Sequence, residues 1–298
     1  MFYLFSEKTI DIFMTQLKSQ SGTNLISLQK VQQNILSTPV QFSEYTIIII
    51  KEGEGIFYSD FGTFPFKGPM MLFATPLQLI YIKEINTIEY DILQFHGDFY
   101  CIEYHREEVA CNGLLFNNVY IEPSLKLELI DQAVFDNLKD QITEELSNPA
   151  PSDIVLKSLL QLFLAKSSQI KTRELEKNTD SQVRDDEMER FKNLLDTNFL
   201  TLHKPSDYAD LLRMSNNNLT KRCTKYFKKT PSQLITERIM LEAKKQLHLT
   251  RKSIKEIAFA LNFKDEFYFS RVFKKFTNES PQSFRDKTGI SIVADLYR

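Results

Sequence analysis

The chain has 298 residues, of which 42% are hydrophobic and 26% are charged, and its formal net charge is −2 at pH 7. This composition is ordinary for a folded globular protein and excludes a chain that is disordered throughout. No apolar run approaches the length needed to span a bilayer, so we expect a cytoplasmic protein without a membrane partner. The three cysteines lack CxxC spacing and agree with a reducing compartment.

The small net charge hides an asymmetry along the chain. Residues 188–298 contain 22 Lys and Arg against 12 Asp and Glu, a difference of +10. The chain totals of 37 and 39 therefore leave 15 and 27 in residues 1–187, a difference of −12. An acidic front and a basic rear indicate two domains, and the basic one favours a polyanionic partner.

Residues 24–118 carry short aromatic and β-branched segments that Gly and Pro separate. The segment YTIIIIKEGEGIFYSDFGTFPF predicts consecutive strands, with turns at Gly53 and Gly55 and near residues 60–62. Several strands at this close spacing indicate an antiparallel barrel or sandwich. The many Phe and Tyr residues are compatible with a ligand pocket and equally with a packed core.

The hydrophobic period then becomes helical. A first helix is predicted from apolar residues at helical intervals, namely Leu127, Ile130, Val134, Leu138 and Ile142. Pro149 and Pro151 break it, and a second helix follows with Ser152 as its N-cap. The charged residues 171–187 then indicate a linker.

The second of these helices is apolar on more than one face. Burial against the chain's own barrel would explain an apolar surface on one face of the helix. A partner chain would explain an apolar surface that extends over more than one face. We therefore expect a homodimer through this helix, with contacts from Leu156, Leu159, Leu160 and Phe163.

Residues 188–298 are predicted to contain two helix-turn-helix units. In the first, Ser215 is placed to cap the second helix. In the other, Ser253 and Glu256 form a capping box, Asn262 suits the left-handed conformation that ends a helix, and Asp265 caps the next helix. Two helices joined by a short turn form the unit that lays its second helix in a DNA major groove.

A helix between the two units sets their separation. Residues 232–247 would span about 24 Å at 1.5 Å per residue. With the widths of the modules added, the recognition helices would lie about 34 Å apart, which is one turn of DNA. One chain could then read two successive major grooves.

The segment KEIAFALNFKDEFYFSRVFKKFTNESPQSFR resembles the signature of AraC/XylS-type transcription regulators. The shared features are an I-A pair, a turn, a Y-F-S-R-x-F-K-K core and a final P-x-x-[FY]-R. The first unit is similar through fewer residues, namely Ala209, Leu211, Ser215, Leu219, Thr230 and Pro231. Asn262, Asn278 and Lys228 stand where this family usually has Gly, and Cys223 stands where it usually has Phe.

The resemblance implies double-stranded DNA as the partner of the rear domain. Base contacts are expected from Asn217, Thr220, Lys221, Glu266, Phe267 and Arg271. Phosphate contacts are expected from Lys225, Lys274 and Lys275. The family also implies RNA polymerase as a partner and a role as an activator, and it allows for a small-molecule effector.

Family members commonly carry a cupin-like β-barrel in front, and cupin enzymes hold a metal through closely spaced His residues with a Glu. His96 and His105 are nine positions apart here, beside Glu103, Glu107 and Glu108, and no H-x-H occurs. We therefore expect no metal, no cofactor and no catalysis. A cupin-like metal enzyme with an appended helical domain is the alternative, and a regulator that acts by protein contact alone is another.

The predicted fold is a multidomain α+β architecture with four segments. Residues 1–120 form an antiparallel cupin-like β-barrel for sensing or interaction, and residues 121–170 form a helical dimerisation element. Residues 171–187 are the linker, and residues 188–298 are an all-α domain of two helix-turn-helix units joined by a linker helix. The predicted function is a sequence-specific, dimeric transcription regulator of bacterial type.

Overall fold

The computed structural model describes residues 13–31, 34–60, 62–102, 114–116, 119–181 and 185–290. Its front part, which we call the β domain, contains nine strands among these residues. They are β1 Phe13–Lys18, β2 Asn24–Val31, β3 Tyr45–Glu52, β4 Glu54–Ser59, β5 Gly62–Lys67, β6 Met70–Ala74, β7 Ile80–Glu84, β8 Glu89–Phe95 and β9 Ser124–Lys126.

The nine strands form two antiparallel sheets. One has six strands in the order β1-β2-β8-β3-β6-β9, and the other has three in the order β5-β4-β7. The predicted antiparallel β fold is therefore confirmed, whereas closure of the two sheets into a barrel stays a prediction.

The central strand β3 explains why the sequence contains four consecutive isoleucines. Successive side chains of a strand point to opposite faces of the sheet. Ile47 and Ile49 belong to the hydrophobic cluster under the helices, while Ile48 and Ile50 belong to the cluster that the two sheets share. Because both faces of β3 are buried, the strand has no polar alternation.

Of the two glycines predicted to form turns between the strands, only Gly53 does so. Gly53 makes the turn between β3 and β4 with φ +100, and a Cβ there would stand 2.5 Å from the Thr87 carbonyl oxygen. Gly55, in contrast, lies inside β4, where a Cβ would approach the Lys83 carbonyl oxygen to 2.7 Å. Gly55 is thus required by close strand contact and not by a turn.

Two long helices cover one face of the six-stranded sheet. They are α1 Leu129–Ser147 and α2 Asp153–Ser181. Of the apolar stripe predicted for α1, Leu138 and Ile142 are buried, whereas Ile130 and Val134 are exposed. Leu127 is also buried, but it lies before α1 begins. The buried face of α1 also includes Phe135 and Leu146. It is therefore rotated around the helix axis relative to the predicted face.

The residues expected at a dimer contact on α2 lie in the chain's own core. Leu156, Leu160 and Phe163 are fully buried in the cluster between the helices and the sheet, and Leu159 is partly buried against it. Helix α2 also continues to Ser181 through most of the predicted linker. Arg173 and Lys177 pair there with Asp131 and Glu128 at the start of α1, which ties this charged segment to the domain.

The C-terminal domain, residues 185–290, contains seven helices in the described part of the chain. They are α3 Asp186–Asn198, α4 Pro205–Leu211, α5 Asn216–Phe227, α6 Pro231–Leu249, α7 Ile254–Ala260, α8 Glu266–Thr277 and α9 Pro281–Thr288. One hydrophobic cluster includes buried residues from all of them, so the two units and the helix between them share a single core.

Candidate nucleic-acid interface

Helix α5 is built to present one polar face. The Ser215 hydroxyl accepts from the Asn218 amide at 3.3 Å, which confirms the predicted N-cap. Leu219 and Cys223 are fully buried and fix the rotation of the helix. The opposite face is solvent exposed and carries Asn217, Thr220, Lys221 and Lys225.

Helix α8 follows the same plan in the second unit. The Asp265 carboxylate accepts from the backbone amides of Phe267 and Tyr268 at 3.1 and 2.9 Å, so the predicted cap is confirmed. Phe269 and Phe273 are fully buried. The predicted contact residues Phe267, Arg271, Lys274 and Lys275 are exposed, and Glu266 is half-buried.

The two units repeat one another in backbone conformation. Arg213 and Asn262 both adopt a left-handed conformation at the turn, with φ of 55 and 60, and Lys228 and Asn278 adopt it after α5 and α8, with φ of 58 and 61. The left-handed conformation was predicted for Asn262 and is confirmed. A turn was also predicted at residues 213–215, but not the left-handed conformation of Arg213, because Arg carries none of the preference that Asn has for this region.

This repeat brings cations to equivalent places. Lys221 and Arg271 are 50 positions apart, as are Lys225 and Lys275, and Lys228 and Asn278 keep the same offset at the helix ends. The four cations within the helices are all exposed, namely Lys221, Lys225, Arg271 and Lys275. Each unit therefore offers one cation near the middle of its second helix and another one turn further on, as a helix lying along a phosphate-lined groove requires.

Arg222 is a residue that the sequence analysis missed. Its Nε donates to the Asp185 carboxylate at 3.1 Å, and its guanidinium also pairs with Glu187. One turn on, the Tyr226 hydroxyl donates to Glu189 at 3.0 Å. These bonds tie α5 to the first turn of α3, and they leave Lys221 and Lys225 pointing outward. The acidic run before α3 is the sequence signal that could have indicated this contact.

The helix between the units is not their sole connection. The Asn262 side chain donates to the Thr201 carbonyl oxygen at 3.2 Å, and the rings of His203 and Phe263 lie 5.6 Å apart. The turn of the second unit therefore touches the loop before α4 of the first. This direct contact, together with the shared core, fixes how the two units are oriented to one another.

The β domain is joined to the C-terminal domain by the loop between β6 and β7. Leu77 in this loop has φ 53, and its side chain is buried within the hydrophobic cluster of the C-terminal domain. The Gln41 amide donates both to the Leu77 carbonyl oxygen at 2.9 Å and to the Thr277 carbonyl oxygen at 3.1 Å. Because Thr277 ends α8, the β domain holds the end of a predicted recognition helix directly.

A second attachment involves a buried ion pair. The Lys229 ammonium donates to the Glu237 carboxylate at 2.7 Å and to the Val119 carbonyl oxygen of the β domain at 2.9 Å. Burial raises the pKa of Glu237 to about 7, even though the Lys229 charge opposes this effect.

The raised pKa of Glu237 predicts a pH effect on stability. Folded Glu237 binds its proton more tightly than the unfolded chain does, where the pKa is near 4.5, so its contribution falls as pH rises from about 4.5 to about 7. Over this pH range, the free energy of unfolding of the Glu237→Gln variant should therefore fall by about 1–3 kcal/mol less than that of the wild type. Denaturant unfolding at several pH values checks this, with exposed Glu144→Gln as the control. An unchanged pH profile in Glu237→Gln would contradict the prediction.

The residues considered for a metal site are only partly within the described structure. His96 is buried at the end of β8, but Glu103, His105, Glu107 and Glu108 lie outside the described residues. Among the described residues, no group of three or more His, Cys, Asp or Glu is arranged to hold a metal ion. Within the same residues, no helix has the length and apolar character needed to cross a bilayer.

Comparison with protein families gives a match in the C-terminal region. A family model described as a helix-turn-helix domain matches residues 208–287. The raffinose operon transcriptional regulatory protein RafR of Pediococcus pentosaceus is 29% identical over 96 residues, which are 32% of this chain and 35% of RafR. The chain therefore matches about a third of the length of this curated relative.

Solved structures give weaker likenesses. Apo ToxT from Vibrio cholerae has a TM-score of 0.42 at 17% identity, over 89% of this chain and 97% of ToxT. The C-terminal domain of the response regulator yesN from Fusobacterium nucleatum has a TM-score of 0.33 at 24% identity, over 34% of this chain and 99% of that domain. The family match, the curated relative and the repeated units agree on one assignment. The C-terminal region of this chain is a helix-turn-helix domain of the AraC type.

Proposed function

We propose that this chain is a sequence-specific, DNA-binding transcription regulator that reads two successive major grooves with α5 and α8. The observation that carries the proposal is the equivalence of the two exposed helix faces. Lys221 and Arg271 occupy matching positions, and so do Lys225 and Lys275. On α5, Asn217 and Thr220 offer hydrogen bonds to base edges. On α8, Glu266 offers another, and exposed Phe267 offers an apolar contact to a thymine methyl group.

The charge of this interface predicts a strong dependence of DNA binding on salt. With roughly six to ten phosphate contacts, the logarithm of the association constant should fall with the logarithm of salt concentration at a slope of about −5 to −9. A mobility-shift or anisotropy titration of the full chain on duplex DNA from upstream of its own gene measures the slope. Absence of any binding at low salt would contradict the proposed function, and so would a slope near zero.

We also propose that two copies pair through α2. Its outer side carries the exposed residues Ile154, Val155 and Leu162, whereas its inner side is packed against the sheet. A pair of copies related by a two-fold axis would cover the same apolar stripe on both chains. Two C-terminal domains would then be available for repeated or inverted half-sites on one DNA molecule.

The pairing predicts a specific loss of dimers. Leu162→Glu should convert the dimer to a monomer because it places a charge in the apolar contact. Light scattering or sedimentation measures the mass. Ile85→Glu is the matched control, since Ile85 is also an exposed apolar residue but lies after β7, far along the chain from α2. An unchanged dimer in Leu162→Glu, or a monomeric wild type, would refute pairing through this stripe.

The remaining partners follow from the proposed role. A regulator on promoter DNA acts on RNA polymerase, and activation by contact with the polymerase is the form we propose. Its site of action is the cytoplasm, with the chromosome. A small-molecule effector would act where the β domain meets the C-terminal domain, because cavities of about 420 and 370 Å³ lie at this contact. No catalytic step is part of this proposal.

A further inference from the structure

Tyr268 is an exposed aromatic residue on α8 that has no role among the DNA contacts proposed above. It is 53% exposed, and its backbone amide is held by the Asp265 cap at 2.9 Å. It lies three positions before Arg271, a spacing at which two side chains meet on the surface of a helix. The Arg271 guanidinium carbon lies 5.8 Å from the centre of the Tyr268 ring, which is within the range of a cation–π contact.

The Tyr268 ring is itself supported by the packed part of the domain. Its centre lies 6.0 Å from that of the Phe263 ring, and Phe263 is only 8% exposed. Phe263 in turn lies 5.2 Å from the ring of buried Phe269 and 5.6 Å from the ring of His203 in the first unit. The ring that contacts Arg271 therefore rests on a buried neighbour outside the helix that carries them both.

Such a support matters for a long side chain that must contact a base edge in one orientation. A free arginine side chain has many rotamers, and fixing it on binding costs conformational entropy. A guanidinium that a ring already restricts loses less entropy, and its planar fork keeps one direction. We propose that Tyr268 is a positioning residue, whose ring holds the Arg271 guanidinium ready for a base contact and so sharpens the sequence preference of the second unit. The proposal rests on the DNA-binding function proposed above.

The first unit carries a different pair of side chains at the equivalent positions. Lys221 matches Arg271, and Asn218 matches Tyr268 at the same offset of 50 positions. Asn218 is exposed and has no aromatic ring, and the Lys221 ammonium is a point charge without the planar fork of arginine. We therefore expect the base preference under α8 to be stricter than that under α5.

A double-mutant cycle in the full chain tests whether Tyr268 acts through Arg271. The probes are the duplex that the wild type enriches most from a random pool, and the same duplex changed at the base pair whose preference Arg271→Ala relaxes. Tyr268→Leu should lower the ratio of the two affinities by about two- to fivefold, the effect of a cation–π contact at an exposed site. In the Arg271→Ala background, Tyr268→Leu should leave this ratio unchanged, because the group that the ring positions is gone.

Further variants separate the ring from the hydroxyl and from the fold. Tyr268→Phe keeps a ring beside Arg271 and should retain the wild-type ratio. Tyr268→Asn introduces the residue of the first unit and is a second variant without a ring. The thermal midpoint verifies that each variant is folded. Asn218→Leu and Lys221→Ala form the matched cycle in the first unit, where the two effects should be additive.

Three results would overturn the positioning role while leaving the proposed function intact. The first is an unchanged ratio in Tyr268→Leu. The second is a loss of the same size with and without the Arg271 side chain, since Tyr268 would then contact DNA independently. The third is an equal loss in Tyr268→Phe and Tyr268→Leu, which would assign the effect to the hydroxyl. A wild-type chain that enriches no duplex would instead overturn the proposed function and this inference together.

Discussion

Replacing Leu77 with aspartate should release the C-terminal domain from the β domain. Leu77 is 3% exposed, and its side chain lies in the core cluster of the other domain. A carboxylate there would replace an apolar side chain inside that hydrophobic cluster, and burying it would cost several kcal/mol. Undocking avoids this cost, so the variant should show a larger radius of gyration in small-angle scattering.

The controls separate undocking from general damage. Ile85→Asp introduces the same charge at an exposed position near the next turn and should leave the radius of gyration unchanged. Gln41→Ala removes the bond to Thr277 while leaving the apolar contact, so its effect should be smaller, about 1 kcal/mol. A Leu77→Asp protein as compact as the wild type would show that this loop does not hold the domains together.

Arg271 and Lys274 should respond differently to truncation, although both are exposed cations on α8. If Arg271 pairs with a base edge, Arg271→Ala should cost about 1–3 kcal/mol on the preferred site and little on a site changed at the contacted base. Lys274→Ala should weaken binding to both sequences alike, because a phosphate contact carries no sequence information. Anisotropy titrations on the two duplexes measure the difference.

The Arg271 experiment has its own control on the same domain. Lys255→Ala removes an exposed cation from α7, outside the two recognition helices, and should leave sequence preference unchanged. A base-selective loss for Lys274→Ala would contradict the assigned roles, as would a uniform loss for Arg271→Ala.

Local signals in the sequence predicted the C-terminal helices well. The caps at Ser215, Ser253 and Asp265 are all present, and Asn262 ends α7 with the left-handed conformation expected of it. These features depend on hydrogen bonds between residues a few positions apart, so the chain encodes them within short segments. The exposure of the cations on α5 and α8 follows from the same helical periodicity.

The features that sequence analysis missed depend on contacts between distant segments. Leu77 and Gln41 reach the C-terminal domain across some two hundred residues, and no local pattern marks them as contact residues. The apolar surface of α2 was correctly found, but its division into a buried face and an exposed face depends on where the sheet lies. Leu156 and Phe163 were therefore predicted at a partner contact although they fill the chain's own core.

Selection of bound duplexes from a random DNA pool by the full chain tests the central claim most directly. We expect enrichment of a site with two preferred blocks whose centres lie about 10 base pairs apart, because α5 and α8 would enter successive major grooves on one side of the duplex. Arg271→Ala should then lose preference within one block only. Failure to enrich any sequence, or enrichment of a single block that Arg271→Ala leaves unchanged, would contradict this reading of the two helices.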